Sequence, residues 1–146
     1  MPQTIQDIEA EIVDEFGMFE DPMDRYDYII DLGKEMPDLE DKYKTDDRLV
    51  KGCQSKVWLH AFEENGLLEL RADSNTVITK GIIALLLRVF SGQKPEDVVN
   101  SELEFIDKIG LRAHLSSQRS NGLNAMIKQI KLYALALNEK AKLENE

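Results

Sequence analysis

The stretch from Thr76 to Phe90 constrains the fold more than any other. It reads Thr-Val-Ile-Thr-Lys-Gly-Ile-Ile-Ala-Leu-Leu-Leu-Arg-Val-Phe, with no proline and with apolar residues on nearly every side of a helix. Such a helix has no face to give to water, so it must sit at the centre of the molecule with other elements packed around it. Its strongly apolar part, Gly81 to Phe90, is interrupted by Arg88 and is too short to span a bilayer. The 146 residues, 42% apolar and 32% charged, suffice for one domain with a sizeable core, and no internal repeat, linker or low-complexity tract divides them.

The covering elements can be read on either side. Thr4 stands before Ile5, Ile8, Ile12 and Phe16, an N-cap followed by helical spacing. Asp21-Pro22 starts a second helix, with Tyr26, Ile29 and Ile30 as its apolar face and Gly33 expected to end it in a left-handed cap. Met36 to Asp47 holds Pro37 and many charges, and reads as a loop with a short turn. Lys56 to Phe62 alternates in part and is rich in strand formers. Glu64-Asn65-Gly66 is a turn signal, and Leu67 to Ala72 resumes the strand pattern, predicting an antiparallel hairpin closed by Asp73-Ser74-Asn75.

The central helix is expected to be capped by Ser74 or Thr76 and stopped by Gly92. Pro95 opens a short helix, and Ser101 with Glu104 has the spacing of a capping box for another. Leu123, Met126, Ile127, Ile130, Ala134 and Leu137 mark a last amphipathic helix to about residue 140. A loop over His114 to Asn121 precedes it, with Ser120 or Asn121 as cap, and residues 141–146 are expected to fray. Helices, a small antiparallel sheet and further helices make an α+β fold, in a single domain over residues 1–146.

Charge narrows the function. The formal net charge is -10, which disfavours nucleic acid and anionic membrane as partners, because phosphate binding rests on Lys and Arg. Residues 1–47 hold 16 acids against 4 bases, whereas no acid occurs between Lys108 and Asn138. This asymmetry fits either solvated helix faces or a dipolar surface that steers a protein partner. The N-terminus begins acidic, without a basic and then apolar signal pattern, so the chain is placed in the cytoplasm.

Cys53 is the only cysteine. One thiol leaves no intramolecular disulfide, no CxxC pair and no multi-cysteine metal or iron–sulfur site within one chain. It lies in Val50-Lys51-Gly52-Cys53-Gln54-Ser55-Lys56, just before the first strand. An inert core cysteine is one reading. A reactive one is the other: Gly52 lets the backbone turn, Gln54 and Ser55 are polar, and Lys51 and Lys56 are expected to favour the thiolate. The two histidines, His60 and His114, have no metal-ligand spacing, and neither is placed by sequence as a base for the thiol. Arg119, beside the start of the last helix, makes an electropositive spot suited to a partner's carboxylate or to a thiolate. No nucleotide-binding glycine pattern occurs.

At these segments the chain resembles the SufE family, the sulfur-acceptor proteins of iron–sulfur cluster assembly. The likeness runs through Val50-Lys51-Gly52-Cys53-Gln54-Ser55 and Val57-Trp58, then Lys80-Gly81, then His114-Leu115 and Arg119-Ser120-Asn121-Gly122-Leu123 with Met126. It covers about residues 10–137, the core of the domain. Ser117-Gln118 departs from the Pro-Ser that the family often has there. The resemblance implies a SufE/IscU-like α+β fold. It also implies that Cys53 accepts sulfane sulfur as a persulfide from a PLP-dependent cysteine desulfurase (SufS-like), stimulates that enzyme and passes the sulfur to an iron–sulfur scaffold (SufB-like).

Persulfide transfer is a relative of thiol–disulfide exchange and needs one nucleophilic cysteine, with no metal and no cofactor of its own. Lys51, Gly52, Gln54, Ser55, His114 and Arg119 are then expected to support the loop or bind the partner. Such a chain is a sulfur-transfer protein and desulfurase activator rather than a stand-alone enzyme. The competing readings are a stand-alone single-cysteine thiol enzyme and a non-catalytic adaptor with an inert Cys53.

Overall fold

The computed structural model describes residues 3–144, with the His114 side chain outside the described part. Eleven elements follow in order: α1 (Ile5–Gly17), α2 (Pro22–Glu35), two 3-10 turns (Asp41–Tyr43 and Asp46–Arg48), β1 (Val57–Glu64), β2 (Leu67–Ser74), α3 (Val77–Phe90), α4 (Pro95–Val99), α5 (Glu104–Lys108), a 3-10 turn (Leu111–His114) and α6 (Ser117–Glu144). Helices around a two-stranded antiparallel sheet make the fold α+β.

Local chemistry starts each early element. The Thr4 hydroxyl accepts the Asp7 amide at 3.1 Å while the Asp7 carboxylate accepts the Thr4 amide at 3.3 Å, a reciprocal cap. Asp21 accepts the Met23 amide at 2.9 Å, and Pro22 occupies the first turn of α2. Asn65 and Gly66 both adopt positive φ, which suits a two-residue hairpin turn whose twist matches the strands. The register pairs Leu59 with Ala72 and Ala61 with Leu70, so Val57, Leu59, Leu70 and Ala72 face the core. One bridge flanks each strand: Leu49 meets Trp58 at the β1 edge, and Leu68 meets Gln93 at the β2 edge.

The central place of α3 is borne out. Ile78, Ile82, Ile83, Leu85, Leu86, Val89 and Phe90 are all buried, with α2 on one side and β2 on the other. The two cations in this helix are both neutralised. Arg88 reaches Glu15 of α1 through two contacts of 2.6 and 2.9 Å, and Lys80 lies 2.6 Å from Asp38 and 3.4 Å from Asp73. Asp73 is itself buried, and its carboxylate also accepts the amides of Leu39 and Ser74, fastening the 36–44 loop to the sheet.

Three local expectations are corrected. Gly33 does not end α2 but lies inside it, because α2 crosses α3 there at backbone contact. A Cβ on Gly33 would meet the Gly81 amide nitrogen at 2.7 Å, and one on Gly81 would run into the Ile29 carbonyl. Ser101 does not cap α5: its hydroxyl donates back to the Val98 carbonyl at 2.7 Å and closes α4. The free amide of Phe105 is taken instead by the Glu9 carboxylate of α1, at 3.1 Å. The segment before the last helix is largely helical, since α6 starts at Ser117 and Ser116 accepts the Arg119 amide at 3.2 Å. Helical backbone continues to Glu144, and residues 145 and 146 of the tail lie outside the described residues.

Candidate functional site

Cys53 sits on a short loop whose two ends are fastened. On one side the Val50 amide donates to the Val57 carbonyl at 2.8 Å. On the other, the Lys56 amide donates to the Asn75 side chain at 3.1 Å, and the Thr76 hydroxyl donates to that of Ser55 at 3.3 Å. Between these ties, Gly52 turns the chain with φ +93, a conformation that side chains rarely adopt. Among the described residues, one hydrogen bond crosses from residues 51–54 to the rest of the molecule: the Cys53 thiol donates to the Gly122 carbonyl of α6 at 3.5 Å.

The thiol is half-buried, turned inward against α6. A cavity of about 20 Å³ adjoins it, lined by Thr79 and Ile82 of α3 and by Gln118, Arg119, Gly122 and Met126 of α6. That is room for about one water-sized atom. Gly122 brings the helix backbone close: a Cβ there would lie 3.5 Å from Sγ, in ordinary contact.

Burial pushes the Cys53 thiol above its ordinary pKa, and no neighbouring charge offsets this. The expectation that Lys51 and Lys56 favour the thiolate is therefore corrected. Both side chains are exposed, and the thiol meets a helix carbonyl rather than the amides of a helix start. Gln54 is exposed beside Cys53, and Ser55 is half-buried through its tie to Thr76. Arg119 lies in the first turn of α6, half-buried, lining the cavity and without an ion pair among the described residues.

His60 is elsewhere. It stacks on Tyr43 with ring centroids 4.2 Å apart, on the strand face opposite buried Leu59, and its Nδ1 accepts from Arg48 Nε at 3.3 Å. Burial, then the charges of Arg48, Arg71 and Lys42, hold it below the ordinary histidine pKa. The sequence indicated neither the Gly122 carbonyl as the partner of the thiol nor Thr79 and Ile82 as cavity walls. Gly122 stood within the matched segment, but nothing local ties it to a cysteine far away in sequence.

The SufE family model, described as an Fe-S metabolism associated domain, matches residues 10–134. The chain belongs to the SufE family. It is 40% identical over 126 residues to an uncharacterized SufE-like protein of Rhizobium meliloti, covering 83% of this chain and 90% of that one. A second uncharacterized SufE-like protein, from Rhizobium etli, is 39% identical over 126 residues, covering 83% and 85%. A solution structure of a hypothetical protein from Thermus thermophilus superposes with a TM-score of 0.75 at 19% identity, over 90% of this chain and 96% of that one, and shares the fold. The SufE domain ties the chain to iron–sulfur metabolism. No helix among the described residues is long and apolar enough to cross a membrane.

Proposed function

We propose that this SufE-family chain is a sulfur carrier, taking sulfane sulfur onto Cys53 from a PLP-dependent cysteine desulfurase and handing it to an iron–sulfur scaffold. The observation that carries the reading is the placement of Cys53. It is the sole thiol, on a loop pinned at both ends but held in the middle by one weak hydrogen bond, next to a cavity with room for about one more atom. Such a loop can shelter a persulfide at rest and present it when extended.

The transfer balances without an external oxidant or reductant. The Cys53 thiolate attacks the outer sulfur of the donor's cysteine persulfide, and the donor's sulfur–sulfur bond breaks. Its electron pair leaves on the donor's inner sulfur as a thiolate, while the new sulfur–sulfur bond forms on Cys53. The proton that Cys53 loses passes to solvent or to the released thiolate. Removing the persulfide frees the desulfurase for its next turnover, which accounts for stimulation. PLP belongs to the donor, and the sulfur is cargo. A single unpaired thiol suits a reducing compartment such as the cytoplasm.

In this reading Lys51, Gly52, Gln54 and Ser55 shape the loop, and Arg119 serves docking or transfer. A stand-alone thiol enzyme has less support, because His60 is engaged with Arg48 and Tyr43 and does not line the cavity at Cys53. The half-buried thiol with its raised pKa favours one alternative, an adaptor in which Cys53 is inert. The test is incubation with L-cysteine and the cognate desulfurase, followed by mass analysis of peptides. One added sulfur on the Cys53 peptide, absent in Cys53→Ser, is the expected result. An active desulfurase that leaves the Cys53 peptide unmodified overturns the carrier reading. Full stimulation by Cys53→Ser selects the adaptor.

A further inference from the structure

Beside the Cys53 loop, a second and larger groove opens between the loop root and α6. Its volume is about 470 Å³, and Arg48, Lys51, Lys128, Gln129, Leu132 and Tyr133 line it. We propose that this groove seats an acidic segment of the sulfur-donating enzyme, with one apolar side chain of that segment resting on Leu132.

The chain as a whole carries -10, yet among the described residues three cations and a single carboxylate, Asp47, line this groove. Neither Lys51 nor Lys128 forms an ion pair among the described residues. Both are exposed and free to pair with carboxylates from outside. Arg48 is already fixed, by bonds to Thr45 at 2.8 Å and His60 at 3.3 Å, so it meets an anion with little ordering cost. The acidic first third of the chain repels an acidic partner and orients it toward this groove.

Leu132 adds an apolar contact to the groove. It is 48% exposed on the groove wall, with Leu135 at 43% one turn further along the same helix. An exposed leucine in a groove lined by cations fits an amphipathic acidic segment better than a small anion, which would leave the leucine uncovered.

Gly52 packs on Ala125, where a Cβ on Gly52 would lie 3.4 Å from that of Ala125, and Ala125 also lines the groove. A segment seated there competes with the loop for Ala125 and bears on Lys51, adjacent to the residue with the permissive backbone. Seating therefore biases the loop away from α6 and the thiol away from the Gly122 carbonyl. The donor, rather than the scaffold, is the occupant that gains from this. The resting thiol is turned toward the Gly122 carbonyl and has to leave it to reach the donor's persulfide.

This inference rests on the carrier reading, and the experiment separates the two. Cys53 persulfidation is followed against desulfurase concentration, at low and high NaCl, for the wild type, Lys128→Glu, Leu132→Glu and the conservative Lys128→Arg. Thermal melting and the rate of Cys53 alkylation by iodoacetamide are measured alongside. Both Glu variants are expected to raise the half-saturating desulfurase concentration roughly tenfold and to lose much of the salt dependence, with melting and alkylation unchanged. Lys128→Arg should retain wild-type behaviour. Wild-type saturation and salt dependence in both Glu variants overturns the groove while leaving sulfur transfer intact. Slower sulfur release to the scaffold with unchanged loading reassigns the groove to the acceptor, and a changed oligomeric state reassigns it to a second copy of this chain. Either result overturns the proposal. No persulfidation of the wild type removes both readings.

Discussion

The Cys53 thiol donates to the Gly122 carbonyl oxygen at 3.5 Å, linking residues 69 apart in the chain. That carbonyl lies within α6, so the thiol faces a partial negative charge instead of a cation. Burial raises the thiol above its ordinary pKa. In the carrier reading, reactivity then depends on the position of the loop as well as on pH.

Alkylation reports this directly. Iodoacetamide should modify Cys53 slowly at neutral pH in the free protein, with a rate that rises through a midpoint above the ordinary thiol value. A midpoint below about 8.5 would contradict the sheltered resting state. Addition of the desulfurase under non-turnover conditions should accelerate the reaction.

Hydrogen exchange should resolve the loop from its anchors. Residues 51–54 are expected to exchange fast, whereas Val50 and Lys56, whose amides are bonded to the Val57 carbonyl and the Asn75 side chain, should be protected. Uniform protection across residues 49–57 would leave no mobile segment.

Arg119→Ala should cut desulfurase stimulation about tenfold while shifting stability by no more than about 0.5 kcal/mol. The side chain is half-buried and makes no ion pair among the described residues, so the fold gains little from it. Parallel loss of thermal stability would assign it a structural role.

Gly81→Ala should cost about 2 kcal/mol or more, because the added methyl group meets the Ile29 carbonyl and forces α2 away from α3. Urea denaturation measures this. A neutral result would mean that the two helices can separate without penalty.

Acid should unfold the chain through two carboxylates. For Asp73, burial acts upward but is outweighed by the amides of Leu39 and Ser74 and the charges of Lys80 and Lys44, so its pKa is lowered. The Arg88 hydrogen bond holds Glu15 below the usual range as well. Their contribution is fully present above the unfolded values of about 4 and is lost as pH falls through the lower folded values. Melting temperature should therefore drop below about pH 4. Asp73→Asn should lose roughly 2 kcal/mol at neutral pH and show a flatter acid limb. An acid limb as steep as the wild type would exclude Asp73 as a source.

Features that depend on near neighbours were legible in the sequence. Thr4, Asp21-Pro22 and the Asn65-Gly66 turn act over a few residues, and the apolar saturation of the central helix predicts its burial directly. Cys53 could be singled out because it is alone and stands in a polar, glycine-containing run. Features set by distant partners were not legible. Gly33 reads as a helix stop until Gly81 is found against it, and Ser101 reads as a cap until Glu9, 96 residues before Phe105, is found to take that amide. Lys51 and Lys56 flank Cys53 in sequence, but the loop sends their side chains to solvent and the thiol inward, which reverses the expected electrostatics.

The hairpin has one further consequence. A two-stranded sheet has two open sides, each a template on which a stray strand from another molecule can grow. Here one bridge, Leu49 with Trp58, stands at the first edge, and another, Leu68 with Gln93, stands at the second. Near the turn, exposed Glu63 and Glu64 add charge to the remaining length of the first edge. These stubs are too short to count as strands, yet they interrupt both templates. In the carrier reading, the loop that opens thus adjoins a sheet whose two edges are both interrupted.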